Sequence, residues 1–319
     1  MPFDKRLTLD SPTGAALNLY VKHPAGQPRA ILVVHHGLAE HAGRYHRFAE
    51  AMAAAGLAVY AHDHRGHGST TAPGAPLRSF GRQDSLKRLL ADAAFVLTFA
   101  RSEWIRRPTI LFGHSMGAAT ALALACDLPE AIAGAALWNY AAPTSTQRRA
   151  ALAALSVEQA LKGSDVASAV MARATFDAWA KAVEPRETAF DWLSHDPSAV
   201  AAYRNDPLCG WSPTVGLWRD LMRLYEQLSA APTLDRLPHD LPLHLLAGSG
   251  DPVTERGESV HRLAGALRHT GLRDVALEPL ADARHETLNE VEAYRAPALR
   301  GLTAWIDRVL AAQPVAPAG

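Results

Sequence analysis

Apolar residues recur along the first 140 positions in two alternating modes. A short strand-like stretch near the start is followed by compact apolar runs at 17–21, 30–34, 58–62, 109–113 and 132–137. These read as buried strands. Between them, helical spacing covers 45–55, 86–101 and 118–126. Alternation of this kind predicts a mostly parallel sheet wrapped by helices on both faces. From 142 to 237 it stops: the stretch is rich in Ala, Arg and Trp, carries helical patterns and has no convincing buried strand. Strand patterns resume at 241–247 and 275–280, separated by a helix at 258–270 and followed by one at 290–310. The expected organisation is therefore a core of residues 1–141 and 238–319, with 142–237 inserted as a helical cap over the site. No Gly/Ser-rich hinge brackets the insertion, which argues against a separate helical domain.

Composition narrows the function classes. Of 319 residues 48% are hydrophobic and 20% charged, and 32 Lys and Arg balance 32 Asp and Glu. Such a chain has no field for holding nucleic acid or an anionic membrane surface. No run is long and apolar enough to span a bilayer, and the start shows no apolar signal region. Membrane contact is expected to be at most transient, through the cap. Cys126 and Cys209 are too few for a disulfide framework, which points to a reducing, cytoplasmic setting. The Ala- and Pro-rich tail at 311–319 reads as a frayed terminus. Oligomeric state is not legible.

The most informative stretch is Gly113, His114, Ser115, Met116, Gly117, set between an apolar strand and an Ala-rich helix. This G-x-S-x-G context is that of a nucleophile elbow. A strand turning abruptly into a helix forces the serine into a strained backbone geometry, and only glycine fits on its flanks. The result is a hydroxyl lifted clear of the sheet beside the positive end of a helix. A serine hydroxyl needs a base, and the base needs a carboxylate to fix its tautomer. Two strands further along, Asp251 follows the run 241–247 and His285 follows the run 275–280, both where loops of a parallel sheet gather. The order Ser, acid, His and the placement after strands select Ser115, Asp251 and His285. Asp282, three residues before His285, is the rival acid.

A tetrahedral intermediate also needs two backbone N–H donors, one from the residue after the nucleophile and one from the loop after the 30–34 strand. These are Met116 and Leu38. The loop reads His36, Gly37, Leu38, Ala39, Glu40, His41, Ala42, Gly43, Arg44, Tyr45, and a further segment runs Asp63, His64, Arg65, Gly66, His67, Gly68, Ser69. With the elbow, the Gly248–Pro252 turn and the 284–290 segment, these closely resemble the monoacylglycerol lipase and lysophospholipase branch of the α/β-hydrolases. The resemblance continues into the cap at 190–196 and 203–210. It implies the α/β-hydrolase fold, a mobile cap, and a small-molecule acyl ester of monoacylglycerol or lysophospholipid type as substrate, with no cofactor. A hydrolase of smaller esters, thioesters or amides is the alternative among enzymes. A non-catalytic ligand-binding member of the fold is the alternative outside them.

His36, Gly37 and His114 flank the donors and the nucleophile and are expected to line the substrate pocket. Trp138 and Tyr140 depart from the small residues usual in the family after this strand; their rings are expected to face the site and shorten the acyl pocket, the alternative being that both turn away and pack beneath the cap. His62, His64 and His67 could suggest a metal site, since alternate residues of an extended segment such as His62 and His64 share a face, but the family turn explains them and no metal is expected. The tryptophans at 179, 192, 211 and 218 read as cap core first and substrate wall second.

Overall fold

A computed structural model describes residues 3–313. The last six residues of the tail read above as frayed lie outside the described residues. The strands are β1 (Lys5–Asp10), β2 (Ala16–Lys22), β3 (Ala30–His35), β4 (Leu57–His62), β5 (Thr109–His114), β6 (Gly134–Trp138), β7 (Leu243–Gly248) and β8 (Val275–Leu280). They form one sheet in the order β1-β2-β4-β3-β5-β6-β7-β8. Only β1 with β2 and β2 with β4 pair antiparallel; from β4 to β8 every pairing is parallel.

Helices α1 (His46–Ala54), α2 (Ser85–Glu103) and α3 (Met116–Asp127) follow the early strands, and α10 (Glu258–His269) and α11 (Glu292–Ala311) the late ones. The apolar strands feed two cores, because successive side chains leave a strand on opposite faces. Ile31, Val33, Leu111, Ala135 and Leu137 pack with α2, α3 and α10. Leu32, Val34, Phe112, Ala136 and Trp138 pack with α1 and α11, where Phe48, Trp305 and Ile306 close the layer.

Between β6 and β7 lie α4 (Ser145–Lys162), α5 (Ala169–Ala174), α6 (Phe176–Lys181), α7 (Pro197–Asn205), α8 (Val215–Leu228) and α9 (Ala231–Leu234). In this stretch the extended pairing among the described residues is a single bridge, Ala167 with Thr214. Thr144 and Gln147 start α4 with a reciprocal capping box, which satisfies the backbone donors of the first turn. Helix α8 buries Val215, Leu217, Trp218, Leu221, Leu224, Tyr225 and Leu228 along one face. That stripe joins the core shared with α3 and anchors the insertion. A satellite core of Val183, Trp192, Leu193, Tyr203 and Cys209, backed by Phe176 and Trp179, holds the segment between α6 and α8. Trp211 and Trp218 belong to the main core instead. No described helix is long and apolar enough to cross a membrane.

Candidate active site

Ser115 stands at the junction of β5 and α3 with φ 55° and ψ −117°, left-handed for a residue with a side chain. The neighbours impose this. A Cβ on Gly113 would strike the carbonyl of Gly117, and one on Gly117 would strike the carbonyls of His35 and His36. The Ser115 N–H donates to Trp138 O at 2.9 Å, tying the elbow to β6. Helix α3 therefore packs backbone against backbone on β3, and the hydroxyl is carried to the rim of a cavity.

Asp251 and His285 come together from the loops after β7 and β8. His285 Nδ1 lies 2.8 Å from Asp251 Oδ2. The same carboxylate oxygen accepts from Asn139 Nδ2 at 3.0 Å and Thr254 Oγ1 at 2.9 Å, and Oδ1 accepts from Val253 N at 2.9 Å. Burial pushes the Asp251 carboxyl up, but His285 beside it and these donors outweigh burial and hold it below the ordinary carboxylate range. Asp282 is turned elsewhere: its N–H bonds Ser249 Oγ at 2.9 Å, and it makes no contact with the His285 ring in the hydrogen-bond network. Ser115 and His285 line the same cavity, and the hydroxyl is not hydrogen-bonded to the ring in this conformation. Such contacts commonly tighten only when substrate binds.

Leu38 and Met116 line that cavity too. Among the described residues neither backbone N–H is taken by a protein acceptor, the condition a donor awaiting an oxyanion must meet. Beneath the loop, Glu40 accepts from Gly37 N at 2.6 Å, from Tyr45 Oη at 2.8 Å and from Arg44 at 2.6 Å. Arg44 forks onward to both oxygens of Glu286. Burial pushes Glu40 up, yet His114 and Arg44 hold it well below the usual carboxylate range. His114 faces Glu40 at 3.5 Å through Nδ1 and the carbonyl of His285 at 2.9 Å through Nε2. Burial lowers its pKa, but Glu40 more than compensates and the ring is pushed up. This polar girder joins the nucleophile's neighbour to the base's own backbone.

The pocket residues divide. Gly37 and His114 line the cavity as expected. His36 does not: its Nδ1 meets Gly37 O at 2.7 Å, and its Nε2 accepts from His64 N at 2.9 Å, which buries the ring behind the loop. Trp138 also departs from expectation. Its side chain leaves β6 on the α1/α11 face, stacks edge-on against Phe112 and donates to His244 Nδ1 at 3.0 Å, so it walls no pocket. Tyr140 packs edge-to-face on Tyr225 inside the other core; Tyr225 reaches the cavity and Tyr140 does not.

His62, His64 and His67 cluster with His35 and His36 behind the loop, outside the cavity. One ring nitrogen from each of His35, His62 and His64 lies within 4.8 Å of the others, and among the described residues these rings have no hydrogen-bond partner. Burial pushes all five below the usual imidazole range, His62 to about 3 and His67 to about 4.

The cavity holds about 540 Å³ and runs from Ser115 up into the insertion, where Val170, Met171, Trp179, Trp218, Leu221 and Met222 give it an apolar wall. A volume of that size with few polar groups at one end suits a small amphipathic molecule.

Comparison with known proteins adds to this geometry. The family model described as serine aminopeptidase, S33, matches residues 26–292. A monoacylglycerol lipase of Mycolicibacterium smegmatis is 31% identical over 89% of this chain and 90% of its own length. A monoglyceride lipase of Mus musculus is 25% identical over 91% of this chain and 86% of its own. The solved structure of a thermostable carboxyl esterase from Bacillus coagulans, in complex with glycerol, covers 96% of this chain and 98% of its own. It matches with a TM-score of 0.86 at 24% identity, which speaks for the fold alone.

Proposed function

The chain belongs to the α/β-hydrolase family described as serine aminopeptidase, S33, and from that membership and the site we propose a carboxylic ester hydrolase acting on monoacylglycerol-like or lysophospholipid-like acyl esters. The observation that carries the substrate class is the apolar cavity opening directly onto Ser115. It offers an acyl chain an apolar slot, and the carboxylates that reach its lining, Glu40, Glu286 and Glu255, are already paired with Arg44 and Arg262.

In this reading Ser115 attacks the ester carbonyl while His285 takes its proton. Asp251 fixes the tautomer, with Nδ1–H toward the carboxylate, and stabilises the imidazolium. The N–H groups of Leu38 and Met116 receive the oxyanion. His285 returns the proton to the leaving alcohol, an acyl-enzyme remains on Ser115, and water releases the acid by the same steps in reverse role. Asn139 and Thr254 hold the acid.

The inserted helices act as a lid over the slot, and its opening governs entry. Exposed Val157 and Leu161 on α4 and Val166 and Val170 near α5 support brief docking of this lid at a lipid surface. Two free thiols, Cys126 and Cys209, both buried, support a reducing cytoplasmic compartment. Burial pushes both thiols up, Cys126 to about 12, so neither is a competing nucleophile.

The test is a fluorophosphonate probe with peptide mapping, beside a screen of p-nitrophenyl esters of rising chain length, monoacylglycerols, lysophospholipids and p-nitroanilides. Labelling at Ser115, lost with turnover in Ser115→Ala, is the expected result. An adduct on another serine, or anilides cleaved in preference to esters, overturns the reading.

A further inference from the structure

Leu38 offers one of the two free amides, yet no helix or strand holds its loop. The next residue, Ala39, sits at φ 57°, a conformation an alanine keeps only when its surroundings impose it. The surroundings act on its carbonyl. Ala39 O accepts from Tyr203 Oη at 3.0 Å and from Gly210 N at 3.0 Å. Neither donor belongs to the sheet; both come from the insertion, from α7 and the turn after it.

Two further contacts tie the same pieces together. His41 Nε2 meets Asp206 Oδ2 at 2.9 Å, and the Arg44 guanidinium lies 4.8 Å from the centre of the Tyr203 ring. The donor turn is itself braced: Asp206 Oδ1 accepts from Leu208 N at 2.8 Å, and Asp206 O accepts from Cys209 N at 3.0 Å. Gly210 takes φ 66° at the turn's end, where a Cβ would crowd the rings of Phe190 and Tyr203. The 203–210 stretch is thus a rigid clamp closed on residues 39–44.

We propose that Tyr203 is a positioning residue for ester hydrolysis: with Gly210 it grips the Ala39 carbonyl and so holds the Leu38 N–H aimed at the oxyanion. The inference rests on the ester-hydrolase reading above. It divides the insertion in two. Helices α4 to α6 and α8 wall the acyl slot, whereas 203–210 is part of the catalytic frame. An oxyanion donor contributes only when it is pre-aimed, since its value lies in needing no reorganisation as charge develops. Loosening the grip therefore lowers kcat, leaves KM nearly alone, and acts equally on every ester.

Tyr203 also borders the cavity, so a direct contact with the substrate's alcohol is the competing role. Tyr203→Phe separates the two, because it deletes Oη and keeps the ring under Arg44. The expected result is a kcat lower by roughly 10–100-fold, the scale of a small misplacement in a reacting geometry, for p-nitrophenyl and glyceryl esters of every chain length. Affinity for an alkylboronic acid, which forms a tetrahedral adduct on the serine, should fall in proportion to kcat/KM. Unchanged kcat, or a loss confined to glyceryl esters, overturns the proposal.

Should Tyr203→Phe fail to fold, Asp206→Ala tests the same grip from the other donor, by loosening the turn that carries Gly210 N. It should lower kcat with the same indifference to the ester, and full activity would count against the clamp. Ser115→Ala keeps the two readings apart. Turnover surviving in that variant defeats the ester-hydrolase assignment itself, while a dead Ser115→Ala beside a fully active Tyr203→Phe defeats only the clamp.

Discussion

Acidification should unfold this protein at a pH where most carboxylates are still ionised. His35, His36, His62, His64 and His67 are fully enclosed, and burial pushes each below the usual imidazole range. In the unfolded chain each titrates near 6.5. Above that value both states are neutral and pH has no effect. Below it, the unfolded chain takes up protons that the native state refuses, so stability falls as pH falls. Each such group contributes a limiting slope of about 1.4 kcal/mol per pH unit, so five acting together remove on the order of 7 kcal/mol between pH 8 and pH 5.5.

His114 works in the opposite sense. Glu40 raises its pKa against burial, so it favours the native state below 6.5 and returns part of that loss. Asp251 and Glu40, held low, add their own penalty only at still lower pH. Against a typical total stability of about 5–15 kcal/mol, the net loss places the unfolding transition near pH 5. Urea titrations followed by tryptophan fluorescence from pH 8 to pH 5 measure it, and the slope of stability against pH counts protons directly. Uptake of three or more protons on unfolding near pH 5.5 is expected. His62→Leu should reduce the slope by about 1.4 kcal/mol per pH unit without loss of stability at pH 8, because an unpartnered ring is exchanged for an apolar group. Uptake of fewer than one proton, or a flat profile from pH 7 to pH 5, would refute the reasoning.

Asp251→Asn should fold normally and lose on the order of 10⁴ in kcat, since the amide favours the wrong imidazole tautomer; near-normal turnover would move the acid's role elsewhere. Trp138→Ala should cost about 3–5 kcal/mol of stability while leaving the chain-length profile of kcat/KM as it was, because the ring lies on the far side of the sheet from the cavity. A shift toward longer acyl chains in that variant would place the ring in the pocket after all. Val157→Ser with Leu161→Ser should slow hydrolysis of monoacylglycerol presented in vesicles and spare a water-soluble short ester; equal rates on both would remove the lid from lipid docking.

The sequence made the sheet, the insertion and the candidate triad legible, and the reason is local. Ser115, Asp251 and His285 each lie within five residues of the end of a strand, buried for β5 and β7 and half-buried for the edge strand β8, so a strand pattern and a turn sufficed to find them. Element ends moved by a residue or two, as with β6, read as 132–137 and observed as Gly134–Trp138. Trp138 was misread on parity. It alternates with Leu137 and shares its face with Ala136, which sends the ring to the α1/α11 layer whatever its size. Asn139 was overlooked between two conspicuous rings. Its only local signal is a polar residue directly after a strand, where Asn tolerates the φ of 52° that aims it at Asp251. The girder of Glu40, Arg44, His114 and Glu286 was out of reach, since it joins three segments separated by up to 242 positions. No periodicity reports a contact of that span.

The junction of α3 with β3 has a consequence for how this enzyme tolerates change. Main chain meets main chain there, with glycine on one side and the His35 and His36 carbonyls on the other, and no side chain serves as a spacer. The reach of the nucleophile is consequently a property of the chain's path and not of what fills the two cores. Leucines, valines and alanines behind the sheet can be traded by mutational drift, each swap absorbed by helices that rest on side chains, while the serine stays put. Adaptation to new acyl groups can then proceed in the cavity wall without renegotiating the chemistry, and the cost of that freedom is concentrated in two positions, Gly113 and Gly117, that admit no other residue.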